Sequence, residues 1–174
     1  MGVFYYDNLL SVYEKNHQWD CALEHLEELY KDSKREEILY DLIGFSWLYL
    51  VEGPILSKKY DRDPNVLALP LWGKYIVEGL VENRDDPFFN YITGYTLSLN
   101  GCYISLEYEQ KGKLFLNNCM NLTKDPLLRQ LAENYLINEC SKRYVPIQNG
   151  KAICERFFDG DSLLDQHFNE IYNR

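Results

Sequence analysis

Residues 40–47 read Tyr-Asp-Leu-Ile-Gly-Phe-Ser-Trp, and this stretch gives the clearest indication of the fold class. Positions 40, 43, 44 and 47 carry an aromatic, an apolar, a small and a second aromatic residue, and all four fall on one face of a helix. A similar order begins 34 residues earlier, in residues 6–13 (YDNLLSVY). A step of this length is typical of helix-turn-helix repeats. The sequence therefore predicts an all-α fold of antiparallel helix pairs stacked as a short superhelix.

Two later segments repeat the order of aromatic, apolar and small residues, but not at the 34-residue spacing of the first two copies. Residues 89–97 and 128–135 place Gly94 and Ala132 at the position that Gly44 occupies in the earlier copy. A small residue at this position lets a neighbouring helix approach closely. We therefore expect Gly44, Gly94 and Ala132 to face other helices and not solvent.

The pattern also divides the chain into helices separated by irregular insertions. Gly53-Pro54 is expected to end one helix, and Pro70 to kink or delay the next, because proline lacks an amide hydrogen and clashes with the preceding turn. Asp20 is expected to cap the second helix through its carboxylate. The predicted helix pairs are at about 3–32, 35–82, 86–122 and 126–158, followed by a capping helix at 161–173, in a single domain over 1–174.

In these positions the chain resembles the tetratricopeptide-repeat family. The best matches are residues 40–47 with the helix that follows them, and residues 128–135. The resemblance implies a right-handed superhelix whose concave face receives a protein or peptide, with no intrinsic catalysis and no cofactor. The alternative is an irregular helical bundle whose apolar periodicity coincides with the repeat.

The charge balance of the chain is acidic. Its 174 residues include 27 acidic and 18 basic side chains, which gives a formal net charge of -9. Such a field repels nucleic acid and attracts basic surfaces. We therefore expect a basic protein partner and no direct binding of nucleic acid. The alternative is that the acidic balance only aids solubility.

The cysteines and the apolar segments bear on where the protein resides. The five cysteines are an odd number, are widely scattered and include no C-x-x-C pair, so we expect reduced thiols in a cytoplasmic protein. The first residues do not resemble a secretory signal. No apolar segment is long enough to cross a bilayer, since even residues 38–51 contain Asp41. We expect no membrane association.

Candidate catalytic and metal-binding residues are few. Cys21 and His25 stand four residues apart on one helix face, but two ligands do not make a structural zinc site. Cys154, His167 and Asp165 could be drawn as a nucleophile, a base and an orienting acid, yet any helical protein of this composition supplies such a triple by chance. No phosphate-binding, serine-hydrolase or zinc-protease motif is present. We therefore expect no enzyme activity, no metal and no cofactor.

Tyrosines and acidic residues stand close together at several turns and helix starts. The chain has 15 tyrosines, and partly exposed ones serve well as anchors in protein interfaces. Capping of helix N-termini is the alternative explanation for the paired acids. The candidate partner-binding residues are Tyr60, Asp61, Asp63, Glu82, Asp85, Asp86, Tyr103, Glu107, Tyr108 and Glu109.

Size, acidity and helical build together resemble the immunity proteins that bacteria make against their own secreted toxins, including those of contact-dependent growth inhibition. The resemblance implies that carboxylates occupy the cationic groove in which a nuclease toxin holds phosphates. The alternative is a repeat adaptor that binds a short peptide in its concave groove. A third hypothesis, an enzyme of unrecognised kind, requires a deep pocket where acids converge with His167 or His25.

Overall fold

The computed structural model describes residues 2–56, 63–101, 106–140 and 146–172. Over these ranges the chain forms nine helices and no strand, which confirms the all-α fold class. The helices are α1 (Asn8–Lys15), α2 (Trp19–Ser33), α3 (Glu36–Leu56), α4 (Pro64–Glu82), α5 (Pro87–Gly101), α6 (Leu106–Leu122), α7 (Pro126–Cys140), α8 (Gly150–Phe157) and α9 (Leu163–Tyr172).

Helices α3 and α5 form the centre of the molecule. Every residue from 38 to 49 in α3 and from 88 to 98 in α5 is buried. A helix without a polar face is stable in water only when other elements cover it on all sides. Accordingly, α2, α4, α5 and α9 pack against α3, while α3, α6 and α7 pack against α5.

Helices α5 and α6 approach each other through two glycines. A Cβ atom added to Gly94 would lie 2.9 Å from the carbonyl oxygen of Gly112, and one added to Gly112 would lie 2.6 Å from the backbone nitrogen of Ser98. These distances are too short for non-bonded atoms, and the obstructing atoms belong to backbone, which cannot rotate away. A larger residue at either glycine would therefore force the two helices apart.

The other predicted small positions also face neighbouring helices. A Cβ atom added to Gly44 would lie 2.9 Å from the Leu164 side chain of α9. Ala132 of α7 is fully buried. The expectation that Gly44, Gly94 and Ala132 point into the protein is confirmed.

The first and last described segments meet beside α3. The backbone N–H of Val3 donates a hydrogen bond to the carbonyl oxygen of Phe157 at 3.0 Å, and the Phe4 ring stacks on the Phe168 ring with centroids 5.8 Å apart. An open superhelix keeps its first and last units apart, because each unit contacts only its neighbours. A tetratricopeptide-like stack does not predict this contact between the first and last described segments. The repeat arrangement stays a prediction.

The expectation that Gly53-Pro54 ends a helix is wrong, and so is the expectation that Pro70 delays the next one, while a kink at Pro70 stays a prediction. Helix α3 continues through Gly53-Pro54 to Leu56, and α4 begins at Pro64 and runs past Pro70 without delay. A proline removes one backbone hydrogen bond, and the burial of a long apolar helix outweighs that loss. Pro70 also lies on the exposed side of α4, where water can bond the carbonyl group that lacks its usual partner.

The expected cap of α2 is also wrong. The helix begins at Trp19, so Asp20 falls within its first turn, and the residue before the helix makes no side-chain cap. Asp20 instead accepts a hydrogen bond from the hydroxyl of Tyr49 at 2.9 Å. The Asp20 side chain, which was expected to cap α2, therefore joins α2 to α3.

We predict that Gly112→Ala lowers the free energy of unfolding by about 1–3 kcal/mol, because the added methyl group meets backbone of α5. Gly73→Ala is the matched control, since a methyl group there meets no described atom within 4 Å. Helix propensity alone should then raise the free energy of unfolding by about 0.5–1 kcal/mol. Urea unfolding at low protein concentration measures both effects. Equal effects of the two substitutions would contradict the close approach of α5 and α6.

Candidate functional site

The predicted partner-binding residues are spread over separate parts of the surface. Helix α4 has 19 residues, so its ends are about 28 Å apart, with Asp63 before its first residue and Glu82, Asp85 and Asp86 at and beyond its last. Glu107, Tyr108 and Glu109 lie at the start of α6, where the Tyr108 ring is 6.2 Å from the ring of Trp72, near the middle of α4. Tyr60, Asp61 and Tyr103 lie outside the described residues.

Two of these acids act as helix caps. The Asp86 carboxylate accepts hydrogen bonds from the backbone N–H of Phe89, in the first turn of α5, and from the Tyr40 hydroxyl at 2.8 Å. Asp63 accepts from the backbone N–H of Asn65 at 2.9 Å, in the first turn of α4. Both carboxylates satisfy amide groups that have no partner within the helix. Helix capping, the alternative to partner binding, therefore accounts for Asp63 and Asp86.

Lysines one turn away pair with the acids at the start of α6. The Lys111 ammonium lies 2.7 Å from the Glu107 carboxylate, and Lys113 pairs with Glu109 in the same way. Opposite charges four residues apart stabilise the helix on which they lie. This turn of α6 therefore carries no net charge from these four side chains.

Buried and half-buried tyrosines donate their hydroxyl groups to carboxylates. A buried hydroxyl group needs a hydrogen-bond partner. Burial raises the pKa of Tyr40 above its usual value, and the charge of Asp86 raises it further. Much of the tyrosine and acid content thus joins helices to one another. The pairs are Tyr5 with Asp7 (2.8 Å), Tyr30 with Glu82 (3.4 Å), Tyr40 with Asp86 (2.8 Å), Tyr49 with Asp20 (2.9 Å) and Tyr75 with Glu27 (2.6 Å).

An acidic surface that the sequence predictions missed lies on α2. Residues 1–56 contain eleven acidic and four basic side chains, and α2 alone has five acids and one lysine. Glu24, Glu28 and Asp32 are exposed and stand four residues apart, so they form one ridge along the helix, here called the α2 ridge. The four-residue spacing of acids in the sequence is the signal that could have revealed it.

Helix α1 adds apolar surface to the same hairpin. It packs on α2 through the rings of Tyr13 and His25, whose centroids are 6.2 Å apart, and through a 2.9 Å hydrogen bond between His25 and Asp7. On the outer side of α1, Leu9 and Val12 are 45% and 49% exposed. Protein interfaces combine an apolar centre with a polar rim. The α1–α2 hairpin offers both kinds of surface.

Three carboxyl groups are buried where the first and last described segments meet. The Asp41 carboxylate accepts from the backbone N–H of Tyr5 at 2.6 Å, and the Glu14 carboxylate accepts from that of Leu163 at 3.3 Å. Burial raises the pKa of Glu14 from 4.5 to about 7, and the charge of Asp165 adds to this rise. Burial likewise raises the pKa of Asp165 to about 6 and lifts that of Asp41. Glu14 and Asp165 therefore titrate at higher pH than exposed carboxyl groups do.

The conceivable catalytic triple is not joined by hydrogen bonds among the described residues. His167 Nε2 lies 3.0 Å from the Tyr95 hydroxyl and Nδ1 lies 3.4 Å from Glu52, while Asp165 bonds a serine one turn earlier. Burial lowers the pKa of His167 to about 4 and raises that of the Cys154 thiol. A nucleophile needs a base within hydrogen-bond reach, and His167 uses its ring nitrogens elsewhere.

Metal binding and membrane crossing have no support in the described parts of the chain. Within them, no group of three or more histidine, cysteine, aspartate or glutamate side chains is placed to hold a metal ion. The ring of His25 bonds Asp7, as described above. No helix in these ranges combines the length and the apolar character that a bilayer span requires.

No protein-family model matches the chain, and the searches of curated proteins and of solved structures find no match. Function is therefore inferred from the surfaces described above.

We predict that Asp86→Ala lowers the free energy of unfolding by about 2 kcal/mol, because it removes the cap of α5 and leaves the Tyr40 hydroxyl without its partner. Asp85→Ala is the matched control next to it, with a side chain that is 79% exposed. Its effect should stay within about 0.5 kcal/mol. Thermal and urea unfolding compare the two variants, and a larger loss for Asp85→Ala would refute the capping role of Asp86.

We predict that Glu14→Gln stabilises the protein above pH 7. A carboxyl group whose pKa is raised in the folded state binds more protons folded than unfolded, so stability falls as pH rises from about 4.5 to about 7. The loss from Glu14 amounts to about 3 kcal/mol, whereas glutamine does not titrate. Urea unfolding at pH 5, 6, 7 and 8 measures the difference between wild type and variant, with exposed Glu28→Gln as the control. A difference that does not change with pH would contradict the burial of a titrating Glu14.

Proposed function

We propose that this chain is a non-catalytic protein-binding module whose acidic surface captures a basic protein. In its most specific form the proposal is an immunity protein that neutralises a basic, nuclease-type toxin domain in the cytoplasm. The observation that supports it most is the α2 ridge, an exposed row of like charges along one helix. The α1–α2 hairpin is the proposed binding surface.

The spacing of the ridge has a cost for the helix that carries it. Like charges four residues apart lower helix stability by about 0.2–0.5 kcal/mol per pair. The ridge contains two such steps, from Glu24 to Glu28 and from Glu28 to Asp32. Off the ridge the same chain places lysine four residues after glutamate, as at Glu107 and Lys111 and, on α2 itself, at Glu27 and Lys31. A basic partner would add opposite charge along the ridge.

An acidic ridge suits the inhibition of a nuclease. A nuclease holds the phosphates of its substrate in a positively charged groove, and a row of carboxylates on a rigid helix can occupy that groove instead. Charge attraction also accelerates the encounter of the two proteins, and this acceleration weakens as salt screens the charges. Leu9 and Val12 on α1 would supply the apolar contacts that charged residues lack.

The adaptor alternative is less well supported by the geometry. A peptide-binding superhelix receives its ligand on inner helices that are accessible from a groove. In the described structure the inner helices α3 and α5 are covered on all sides, with residues 38–49 and 88–98 buried. A folded partner that contacts the outer hairpin is therefore the better hypothesis.

We expect a triple charge reversal on the α2 ridge to abolish partner binding. The chain is immobilised, basic proteins of the source organism are captured and identified, and the purified partner is titrated against E24K/E28K/D32K. The matched control D85K/E107K/E155K makes the same change in net charge at side chains that are 79%, 73% and 66% exposed. Affinity should fall at least tenfold for the ridge variant and change little for the control, which also tests Asp85 and Glu107 as predicted contact residues.

Salt dependence tests the α2 ridge as the binding surface, and inhibition of a nuclease tests the immunity role. The association rate of the wild type should fall steeply between about 50 and 500 mM salt, because screening removes the steering. A captured nuclease should lose activity at a one-to-one ratio. Equal binding by the ridge variant, or an association rate indifferent to salt, would refute the ridge as the binding surface. A partner that is neither toxic nor a nuclease would refute the immunity role alone.

A further inference from the structure

Helix α4 has a second apolar face on its outer side. Its inner face, which includes Trp72 and Tyr75, is buried in the core. Its outer face presents a row of apolar residues spaced three or four apart, so they line one side of the helix. We call this row the α4 stripe. Its side chains are Val66 (70% exposed), Leu69 (36%), Val77 (62%) and Leu80 (40%), with Gly73 at the centre.

Gly73 is the feature of the stripe that no contact among the described residues explains. A glycine inside a helix costs about 1 kcal/mol relative to alanine. Gly79, Gly94 and Gly112 face atoms that would collide with a Cβ, whereas a Cβ on Gly73 would meet no described atom within 4 Å. A glycine in the middle of an exposed apolar row is useful when another backbone crosses there at close range.

The apolar residues of the α4 stripe stand at the same distances in sequence before and after Gly73. Leu69 and Val77 stand four residues before and after it, and Val66 and Leu80 stand seven residues before and after it. A two-fold axis at Gly73 would therefore place Val66 of one copy near Leu80 of the other, and Leu69 near Val77. Self-complementarity of this kind is what a symmetric dimer interface requires.

Charged side chains stand at the two ends of α4. Asp63 stands just before the helix, exposed Glu82 stands at its last residue, and Arg84 and Asp85 beyond it pair with each other at 3.6 Å. The register of two α4 helices therefore depends on the apolar spacing about Gly73 and not on these charges.

We propose that the α4 stripe is the interface of a homodimer in which two α4 helices cross antiparallel at Gly73. One pair of 19-residue helices buries less than the roughly 800 Å² per partner of a standard interface. The dimer is therefore weak and reversible, and it forms over a micromolar range of protein concentration. This interface leaves the α2 ridge on a different helix and does not depend on the proposed function.

Sedimentation velocity between about 1 and 500 µM tests the dimer. The wild type should shift from monomer to dimer over this range, and Val77→Glu should remain monomeric. Ile137→Glu is the matched control, since it places the same charge on an exposed apolar position of α7 that is 45% accessible. Gly73→Leu should also remain monomeric, while its thermal unfolding temperature stays equal to or above that of the wild type, because the added side chain meets open space in one molecule and backbone in two.

A cysteine scan tests the position of the two-fold axis. Gly73→Cys should form a disulfide-linked dimer under mild oxidation, because the two copies of residue 73 face each other at the axis. Ile137→Cys, in the same background of native cysteines, should stay monomeric. A wild type that is monomeric at every concentration, a dimer that persists in Val77→Glu, or equal cross-linking of the two cysteine variants would overturn the proposal.

Discussion

Helices α3 and α5 are buried on every side, and their burial determines how the other helices are arranged around them. Neither helix has a polar face between residues 38 and 49 or between 88 and 98, so each requires a full set of neighbours. The glycines at 94 and 112 bring α6 close to α5, and α9 packs against α3 at Gly44. Hydrogen bonds from tyrosine hydroxyl groups to carboxylates add to this packing, since Tyr49 joins α3 to Asp20 of α2, and Tyr30 and Tyr75 join α2 to α4.

Residues 40–47 are sufficient to predict the helical class and the inward direction of Gly44, because both depend on apolar spacing along one helix. The closure of the chain does not follow from that spacing, since the contact between Val3 and Phe157 depends on how separate helices are arranged in space. The rule that proline ends a helix fails at Pro54, where the burial of α3 outweighs a lost hydrogen bond.

The predicted binding residues show why residue type alone is a weak guide to a surface. Asp86 and Asp63 stand out in the sequence as acids near turns, and the same position makes each of them a helix cap. Their neighbours along the chain do not reveal whether a carboxylate is already bonded within the protein. The α2 ridge is different, because its acids repeat at the helical spacing, and this regular spacing is visible in the amino-acid sequence alone.

The contact between the first and last described segments also affects how the protein is made. On the ribosome, α3 leaves the exit tunnel long before α9 is synthesised, and its side at Gly44 stays uncovered until Leu164 arrives. Until α9 is available, the nascent chain exposes the side of α3 around Gly44, whereas α2, α4 and α5 can already cover its other sides. An exposed apolar surface is of the kind that chaperones bind. Helix α9 acts as the closing step of folding, and the native core is complete only after this helix has been translated.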